Sequence, residues 1–218
     1  MKKTIIMAAV MLSSVAMHAQ QAPGTITIQP KVGLNIATLT DLKDGSEFDN
    51  TKSKSRVGFA AGAEAEYQIS DMFSVSAGLI YSQKGAKVEY DALPLLEQSS
   101  MPLLAAPLHY EETLKCDYLD IPILANVYVA KGLAVKLGLQ PAFKLSGKAK
   151  MKVEDLGEDE FDIEEMKGFE LSIPVGISYE YQSFVLDVRY NWGLTKVFDY
   201  DDFKNSVFQI TLGYKIPL

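Results

Sequence analysis

The residues in this chain best suited to chemistry lie close together: Ser99, Ser100, His109, Tyr110, Glu111 and Glu112. A hydroxyl, an imidazole and a carboxylate are the parts of an acyl-transfer site, with the histidine as base and the carboxylate orienting it. Residues of these types also gather in loops by chance, and their spacing fixes no geometry. A hydrolase at the rim of the fold is therefore the last of three readings. His109 is the one histidine outside the first 20 residues, too few for a multi-histidine metal site. Glu158, Asp159, Glu160 and Asp162 could hold calcium weakly, yet they lack the spacing of an EF-hand loop, and a solvated acidic loop is the simpler reading. The single cysteine, Cys116, excludes an internal disulfide and reads as a passive residue at a strand end. No glycine motif that cradles phosphate occurs, and no cofactor is implied.

The elements that carry these residues are strands. From Arg56 to Gln83 the odd positions, Val57, Phe59, Ala61, Ala63, Ala65, Tyr67 and Ile69 and then Phe73, Val75, Ala77, Leu79 and Tyr81, alternate with small, polar or charged residues. Successive side chains of a strand point to opposite faces, so this stretch is a hairpin with one apolar face, turning at Ser70-Asp71. The same alternation recurs from Ile26 to Ala37, Tyr118 to Val129, Leu133 to Ser146, Phe169 to Tyr181, Phe184 to Gly193, and Phe208 to Leu218. Eight strands are expected. Ala130-Lys131-Gly132 and Gln182-Ser183 are tight turns, while Asp41 to Ser55, Val88 to Lys115 and Glu154 to Glu165 are long connections. Lys148, Lys150 and Lys152 keep the strand period and can face Asp162 and Glu164 across a hairpin.

The chain of 218 residues is long enough for one domain with a full core. Lys2 and Lys3 precede an apolar run from Ile5 to Val15 and small residues, the layout of a secretory signal peptide over residues 1–19. Cleavage is expected after Ala19, with Ser14-Val15-Ala16 as the alternative, which leaves residues 20–218 as the barrel domain. The formal charge of −7 becomes −9 without the two lysines, which argues against nucleic acid as a partner. No apolar run after the signal approaches 20 residues, so a membrane-spanning form must be a closed β-barrel. Short turns on one end and long loops on the other are the pattern of outer-membrane barrels, with short turns periplasmic and long loops extracellular.

A soluble ligand-binding barrel has the same period with its apolar face inward. Three features favour the membrane form. The polar face is rich in small residues, such as Gly58, Ala60 and Gly62, of the size a crowded interior needs. Its charges have both signs: Lys31, Arg56, Lys84, Lys136, Lys144 and Arg189 against Glu64, Glu66, Asp120, Glu170, Glu180 and Asp187. Glu64 and Glu66 are expected to find partners among Lys136, Lys144 and Arg189. Finally, the aromatics fall near the ends of the apolar faces. Tyr67, Phe73, Tyr179, Tyr181, Phe184 and Tyr214 would make a periplasmic girdle, and Phe59, Tyr81, Phe143, Phe169, Tyr190, Trp192 and Phe208 an outer one. Phe59 and Tyr67, eight residues apart, would stand about 20 Å apart in height at ~3.3 Å per residue and a tilt of roughly 40°, close to the lipid-facing band of such barrels.

Pro122, Pro141 and Pro174 fall inside strands of a sheet with no free edge, so bulges are expected there. Two strands share a pattern, Tyr118-Leu119-Asp120-Ile121-Pro122-Ile123 and Glu170-Leu171-Ser172-Ile173-Pro174-Val175. With Lys31-Val32-Gly33-Leu34-Asn35, and Gly78-Leu79 followed by Tyr81 and Lys84-Gly85, the chain resembles the small outer-membrane β-barrel proteins of the Bacteroidetes, the porin-family or PorT-like group. The resemblance implies an all-β, eight-stranded antiparallel up-and-down transmembrane barrel, most relatives having no assigned activity and a role in secretion belonging to the PorT branch. Such barrels usually end in an aromatic residue; here Leu218 stands last.

The leading functional expectation is a non-enzymatic outer-membrane barrel acting as a structural or docking element. Its contact surface would be the oddly apolar second loop, with Leu95, Leu96, Leu103, Leu104, His109 and Tyr110, since exposed apolar segments are costly unless lipid or a partner covers them. Membrane lipid and a cell-envelope protein are the expected partners. A narrow porin-like channel for small solutes is the alternative, although eight strands enclose barely more than their own side chains.

Overall fold

A computed structural model describes residues 21–40, 52–92, 108–153, 157–163, 166–198 and 203–218. Eight antiparallel strands form one closed ring. They are β1 (Ile26–Thr40), β2 (Lys52–Ser70), β3 (Phe73–Ala92), β4 (Leu108–Asp120 continued by Ile123–Ala130), β5 (Leu133–Val153), β6 (Gly157–Asp162 continued by Phe169–Tyr181), β7 (Phe184–Gly193) and β8 (Lys204–Tyr214 continued by Ile216–Pro217). Each pairs with its neighbours in sequence, and β8 closes on β1 through Lys31↔Gly213 to Thr40↔Lys204. The eight-stranded up-and-down barrel expected from the alternation is therefore the fold.

The registers also fix the barrel's shape. A walk around the ring along paired residues goes from Ile26 to Tyr67, Val75, Ala125, Leu137, Val175, Tyr190, Phe208 and back to β1 at Ile36. The path returns ten residues further along the strand, which for eight strands corresponds to a tilt of about 40°. Every residue on that path except half-buried Ala125 faces outward and is exposed.

Strand lengths exceed the sequence expectation at the loop end. β3 runs to Ala92 and β4 begins at Leu108, so much of the stretch from 88 to 115 is strand and not loop. Residues 157–162, read from sequence as acidic loop, pair with β5, placing Lys148, Lys150 and Lys152 opposite Asp162, Glu160 and Glu158. Glu164 lies outside the described residues. At the opposite end the connections are two-residue turns. Gly132 takes φ +69 and Gln182 φ 57, the left-handed conformation such hairpins require.

The prolines behave differently from expectation. Register is continuous past all three: Asp120 pairs with Ile80 and Ile123 with Ala77 on either side of Pro122, Pro141 pairs with Leu171, and Pro174 with Asn191. The bulges lie elsewhere, between Ser55 and Ala60, Gln68 and Ser70, Asp117 and Tyr118, and Tyr128 and Ala130. A proline lacks one donor but keeps its carbonyl. Gly78 N–H donates to the Pro122 carbonyl at 3.0 Å and Ile121 N–H to the Pro141 carbonyl at 2.8 Å, so the ladder loses single bonds without slipping.

Candidate functional site

Two chambers are stacked inside the barrel, and the lower, turn-end one is an ion-pair network. At its centre the Arg189 guanidinium spans two carboxylates. Nη1 and Nη2 donate to Glu64 Oε1 and Oε2 at 2.6 and 2.8 Å, while Nε and Nη2 donate to Asp187 Oδ1 and Oδ2 at 2.7 Å each. Lys31 Nζ lies 2.7 Å from Glu64, and Lys136 Nζ 2.6 Å from Asp187. The fork of arginine matches two planar carboxylates at once, a geometry lysine cannot supply. Room for it comes from two glycines. A Cβ on Gly78 would stand 2.5 Å from Glu64 Cγ, and one on Gly176 would stand 2.9 Å from Arg189 Cγ.

Two further clusters flank this centre. Toward the turns, Lys215 bridges Glu180 at 2.7 Å and Glu66 at 3.1 Å, with Ser74 and Tyr128 hydroxyls donating to Glu66. Toward the loops, Lys84 bridges Asp120 at 2.9 Å and Glu170 at 3.0 Å, with Gln140 donating to Asp120 and Asn205 to Glu170. Lys84 also stands over the Tyr118 ring, 4.8 Å from its centroid. Lys31 and Glu64 are 2% exposed and Arg189 1%, so these side chains fill the lumen and leave no room for a continuous water column at that level.

The structure thus places Lys31, Glu64, Glu66, Lys84, Asp120, Lys136, Glu170, Glu180, Asp187 and Arg189 inside. The partner of Glu64 is Arg189 together with Lys31, and Lys136 goes to Asp187. Arg56 and Lys144 differ from the rest. Both are half-buried near the loop end, Arg56 donating to the Lys84 carbonyl and Lys144 to the Met166 carbonyl at 2.8 Å. Neither binds Glu64 or Glu66. Lys215 is the charge that the sequence reading missed, although it shares the inward phase of Gln209, Thr211 and Gly213 on β8.

Above the network lies a chamber of opposite chemistry. Leu39, Ala86, Cys116, Tyr118, Ala142, Met166, Val197 and Phe198 form the one cluster of buried apolar residues among those described, with Leu114, Ile163 and Phe203 packed against it. Two segments close over the network here. Met166 and Phe198 form a β-bridge, and Lys167 N–H donates to the Val197 carbonyl at 2.9 Å. Cys116 is buried with its Sγ 3.9 Å from Met166 Sδ; it stands inside β4 and not at a strand end, because that strand begins at Leu108. A cavity of ≈ 430 Å³ lies at this level, lined by Leu39, Ala86, Leu114, Ala149, Phe161 and Phe198 among others.

On the outer face, Phe59, Tyr67, Phe143, Phe169, Tyr179, Tyr181, Phe184, Tyr190, Trp192, Phe208 and Tyr214 are exposed, and Phe73 and Tyr81 half-exposed. Register neighbours among them meet edge to face: Phe143 and Phe169 at 5.7 Å between centroids, Phe184 and Tyr214 at 5.2 Å. Beyond Phe143 and Tyr81 the outer face turns charged. Lys87 pairs with Glu111 at 2.5 Å, and Lys115 and Lys148 both pair with Glu160, at 2.6 and 3.0 Å. Those two ammonium groups hold the Glu160 carboxyl down at about 2.

The enzymatic and metal alternatives gain nothing from this geometry. His109 and Tyr110 sit on β4 opposite Asp91 and Tyr90; Ser99, Ser100, Leu95, Leu96, Leu103 and Leu104 lie outside the described residues. Strand alternation places Asp159 on the face opposite Glu158, Glu160 and Asp162, splitting the acidic cluster, and no group of three potential metal ligands occurs among the described residues.

A closed antiparallel barrel with an apolar exterior and an ion-paired lumen defines the class of small outer-membrane β-barrels. The chain belongs to the outer membrane protein beta-barrel domain family, whose profile matches residues 18–199. Among solved structures it is similar to Ail, the attachment invasion locus protein of Yersinia pestis, crystallised with the heparin analogue sucrose octasulfate: 16% identity, TM-score 0.48, covering 89% of this chain and 99% of that one. It is also similar to Neisserial surface protein A (12%, TM-score 0.47, 88% and 97%) and to the outer membrane protein OprG of Pseudomonas aeruginosa (14%, TM-score 0.42, 91% and 99%). A search of curated proteins found no match. At such identities a shared barrel implies no shared activity.

Proposed function

We propose that the protein is a closed, non-enzymatic barrel of the outer membrane that serves as a scaffold, docking a cell-envelope protein through its loop end. The observation that carries this reading is the lumen itself: the Arg189, Glu64 and Asp187 centre and the Lys84 and Lys215 clusters occupy the space a channel would need. Charges so completely paired and buried act as a plug, because each would lose most of its partners if the lumen opened. The aromatics from Tyr67 to Tyr214 near the short turns are assigned to the periplasmic girdle and those near Phe59, Phe143 and Trp192 to the outer one. The second loop, with Leu95, Leu96, Leu103 and Leu104, is the assigned contact surface. Residues 1–19 are assigned as the export signal, and placement within the Bacteroidetes porin-family or PorT-like group rests on the two Ile-Pro strand motifs.

Two measurements test the reading. Purified protein in planar bilayers is expected to give no reproducible conductance steps; regular steps would replace the scaffold with a narrow porin. In intact cells, a photocrosslinker in the second loop is expected to give one discrete adduct that disappears when residues 93–107 are replaced by a short glycine-serine turn. Retention of that adduct through a crosslinker elsewhere on the truncated barrel would overturn the loop as the docking surface.

A further inference from the structure

The inside and outside of this barrel exchange chemistry part-way along the strands: β3 and β4 stay in phase with each other through the change, whereas β2 and β5 each slip by one residue at a bulge there. On β3, Tyr81 faces out and Ser82 and Lys84 face in, whereas further up Lys87 and Glu89 face out and Ala86 and Val88 line the interior. On β4, Asp120 faces in near the middle, while above it Leu114 lines the interior and Lys115 and Glu111 face out. The upper part thus has the chemistry of a water-soluble ligand-binding barrel, with charges outside and an apolar lumen. Ala86 lies five residues beyond Tyr81, which at ~3.3 Å per residue and a tilt of about 40° raises it roughly 13 Å above that ring.

We propose that this upper chamber is a binding site for a small amphipathic cation, an aryl- or alkylammonium compound. The proposal is independent of the docking reading. The cavity measures ≈ 430 Å³, within the ~300–1,000 Å³ of small-molecule sites. Its wall is formed by Leu114, Phe161, Ile163, Phe198 and Phe203, three of them phenyl rings, whose negative faces suit a cation as well as a hydrocarbon. Met166 and Cys116 belong to the same packed apolar cluster as Leu39, Ala86 and Phe198 of its wall, with Lys84 and its carboxylates further toward the turns.

Charge complementarity selects the cation. Glu112 pairs in register with Met151, and Met151 with Asp159, so both carboxylates lie on the inward face of the sheet at the mouth. Neither has an ion-pair partner among the described residues. The lysines at that level, Lys87, Lys115, Lys148, Lys150 and Lys152, lie on the outward face, where Lys87 binds Glu111 and Lys115 and Lys148 bind Glu160. Lys144 and Arg56, on the inner side, are lower and are engaged by the Met166 and Lys84 carbonyls. An anionic ligand would therefore meet two carboxylates on entry, and a cationic one would be paired by them.

The test uses the full barrel in phosphatidylcholine nanodiscs, with empty discs as baseline, titrated calorimetrically with 4-phenylbutylamine and with 4-phenylbutyrate. The amine is expected to bind saturably at one site, roughly fivefold or more tighter than the carboxylate, the size two partly exposed ion pairs supply. Ala149→Trp, which fills the cavity from β5, is expected to abolish binding while the barrel keeps its heat-modifiable gel mobility; Val88→Trp serves if that variant does not fold. The pair Glu112→Gln and Asp159→Asn is expected to erase the preference for the amine. Heat no greater than that of empty discs, unchanged binding in a folded cavity-filled variant, or a preference for the carboxylate would each overturn the site. A preference for the amine that survives the double variant would overturn the assignment of its charge to Glu112 and Asp159.

Discussion

The lower and upper halves of this barrel solve one problem in opposite ways. Below the ring of Phe59, Tyr81 and Phe143, which we assign as the edge of the hydrocarbon, apolar side chains face out and the lumen is filled by salt-bridged charge. Above it lysines and glutamates face out, as water requires, and Leu114, Phe161 and Phe198 line an apolar lumen. β3 and β4 run through the change without a slip, while β2 and β5 each carry a bulge there. Side-chain direction is a property of the strand, whereas which direction is apolar is a property of the medium. What differs between the halves is the cost of error: a charge left alone below has nowhere to go, while an apolar residue removed above is partly replaced by water.

The largest expected effect follows from that asymmetry. Arg189→Ala strands Glu64 and Asp187 where they are almost inaccessible to water, and should destabilise the barrel by about 3–5 kcal/mol, the range for breaking a buried pair. Urea unfolding followed by the single tryptophan, Trp192, on the outer face reads it directly. Arg189→Lys should recover part of the loss, because charge returns but the fork does not. A loss under 1 kcal/mol in Arg189→Ala would mean that the plug is not what holds the lower half.

On the outer face the same contrast is tested by moving charge between levels. Leu137, exposed on β5 about midway between the turn at Lys131-Gly132 and Phe143, should cost about 2–4 kcal/mol as Leu137→Arg in a bilayer, whereas Lys148→Leu, above the ring on the same strand, should stay within about 0.5 kcal/mol. Equal costs would erase the boundary between the halves. In the upper lumen, Met166→Ala should cost about 2 kcal/mol, the low end for such truncations since the site opens toward water. Hydrogen exchange should show faster opening at Cys116 and Gly147, with the strands around Arg189 unaffected.

How much of this could be read from the chain follows the same division. Below the ring, alternation with a constant apolar phase marked every strand, and the inward carboxylates at Glu64 and Asp187 were visible from parity alone. Above it the phase of apolar residues inverts, as in Lys84-Gly-Ala-Lys-Val-Glu-Tyr and Glu111-Glu-Thr-Leu-Lys-Cys, and an inverted pattern looks like the end of a strand. That is why the outer arms of β3, β4 and β6 read as loop from sequence alone. Partnership is legible only in part: Arg189 stands among three candidates for Glu64 and is its partner, but Lys31, which also binds it, is not among them, and Arg189 and Glu64, 125 residues apart, meet across the lumen, not along a ladder. Lys215 is legible by parity, in phase with the inward Gln209, Thr211 and Gly213. The three prolines misled because a missing donor was equated with a register slip, whereas a ladder can lose one bond and keep its alignment.

The smallest expected effect sits on the wet outer face. Lys115 and Lys148 hold the Glu160 carboxyl at about 2, below the ordinary carboxylate value of 4.5. A carboxyl whose folded value is depressed stabilises the fold fully above its unfolded value and loses that contribution as pH falls through the folded one. The window is therefore from about 4.5 down to about 2. Because Glu160 is fully exposed, solvent screens the pair and the change should be small, read as a difference between the native protein and Glu160→Gln in urea midpoint at pH 6 that closes by pH 2. The arm Gly157–Asp162 should detach first as the pH falls, visible as exchange of its amides with β5. The lower ion pairs, shut away from water, should hold through the same range. Simultaneous loss of both would show that the two halves unfold as one unit, and that the change of medium at the ring does not divide the barrel's stability.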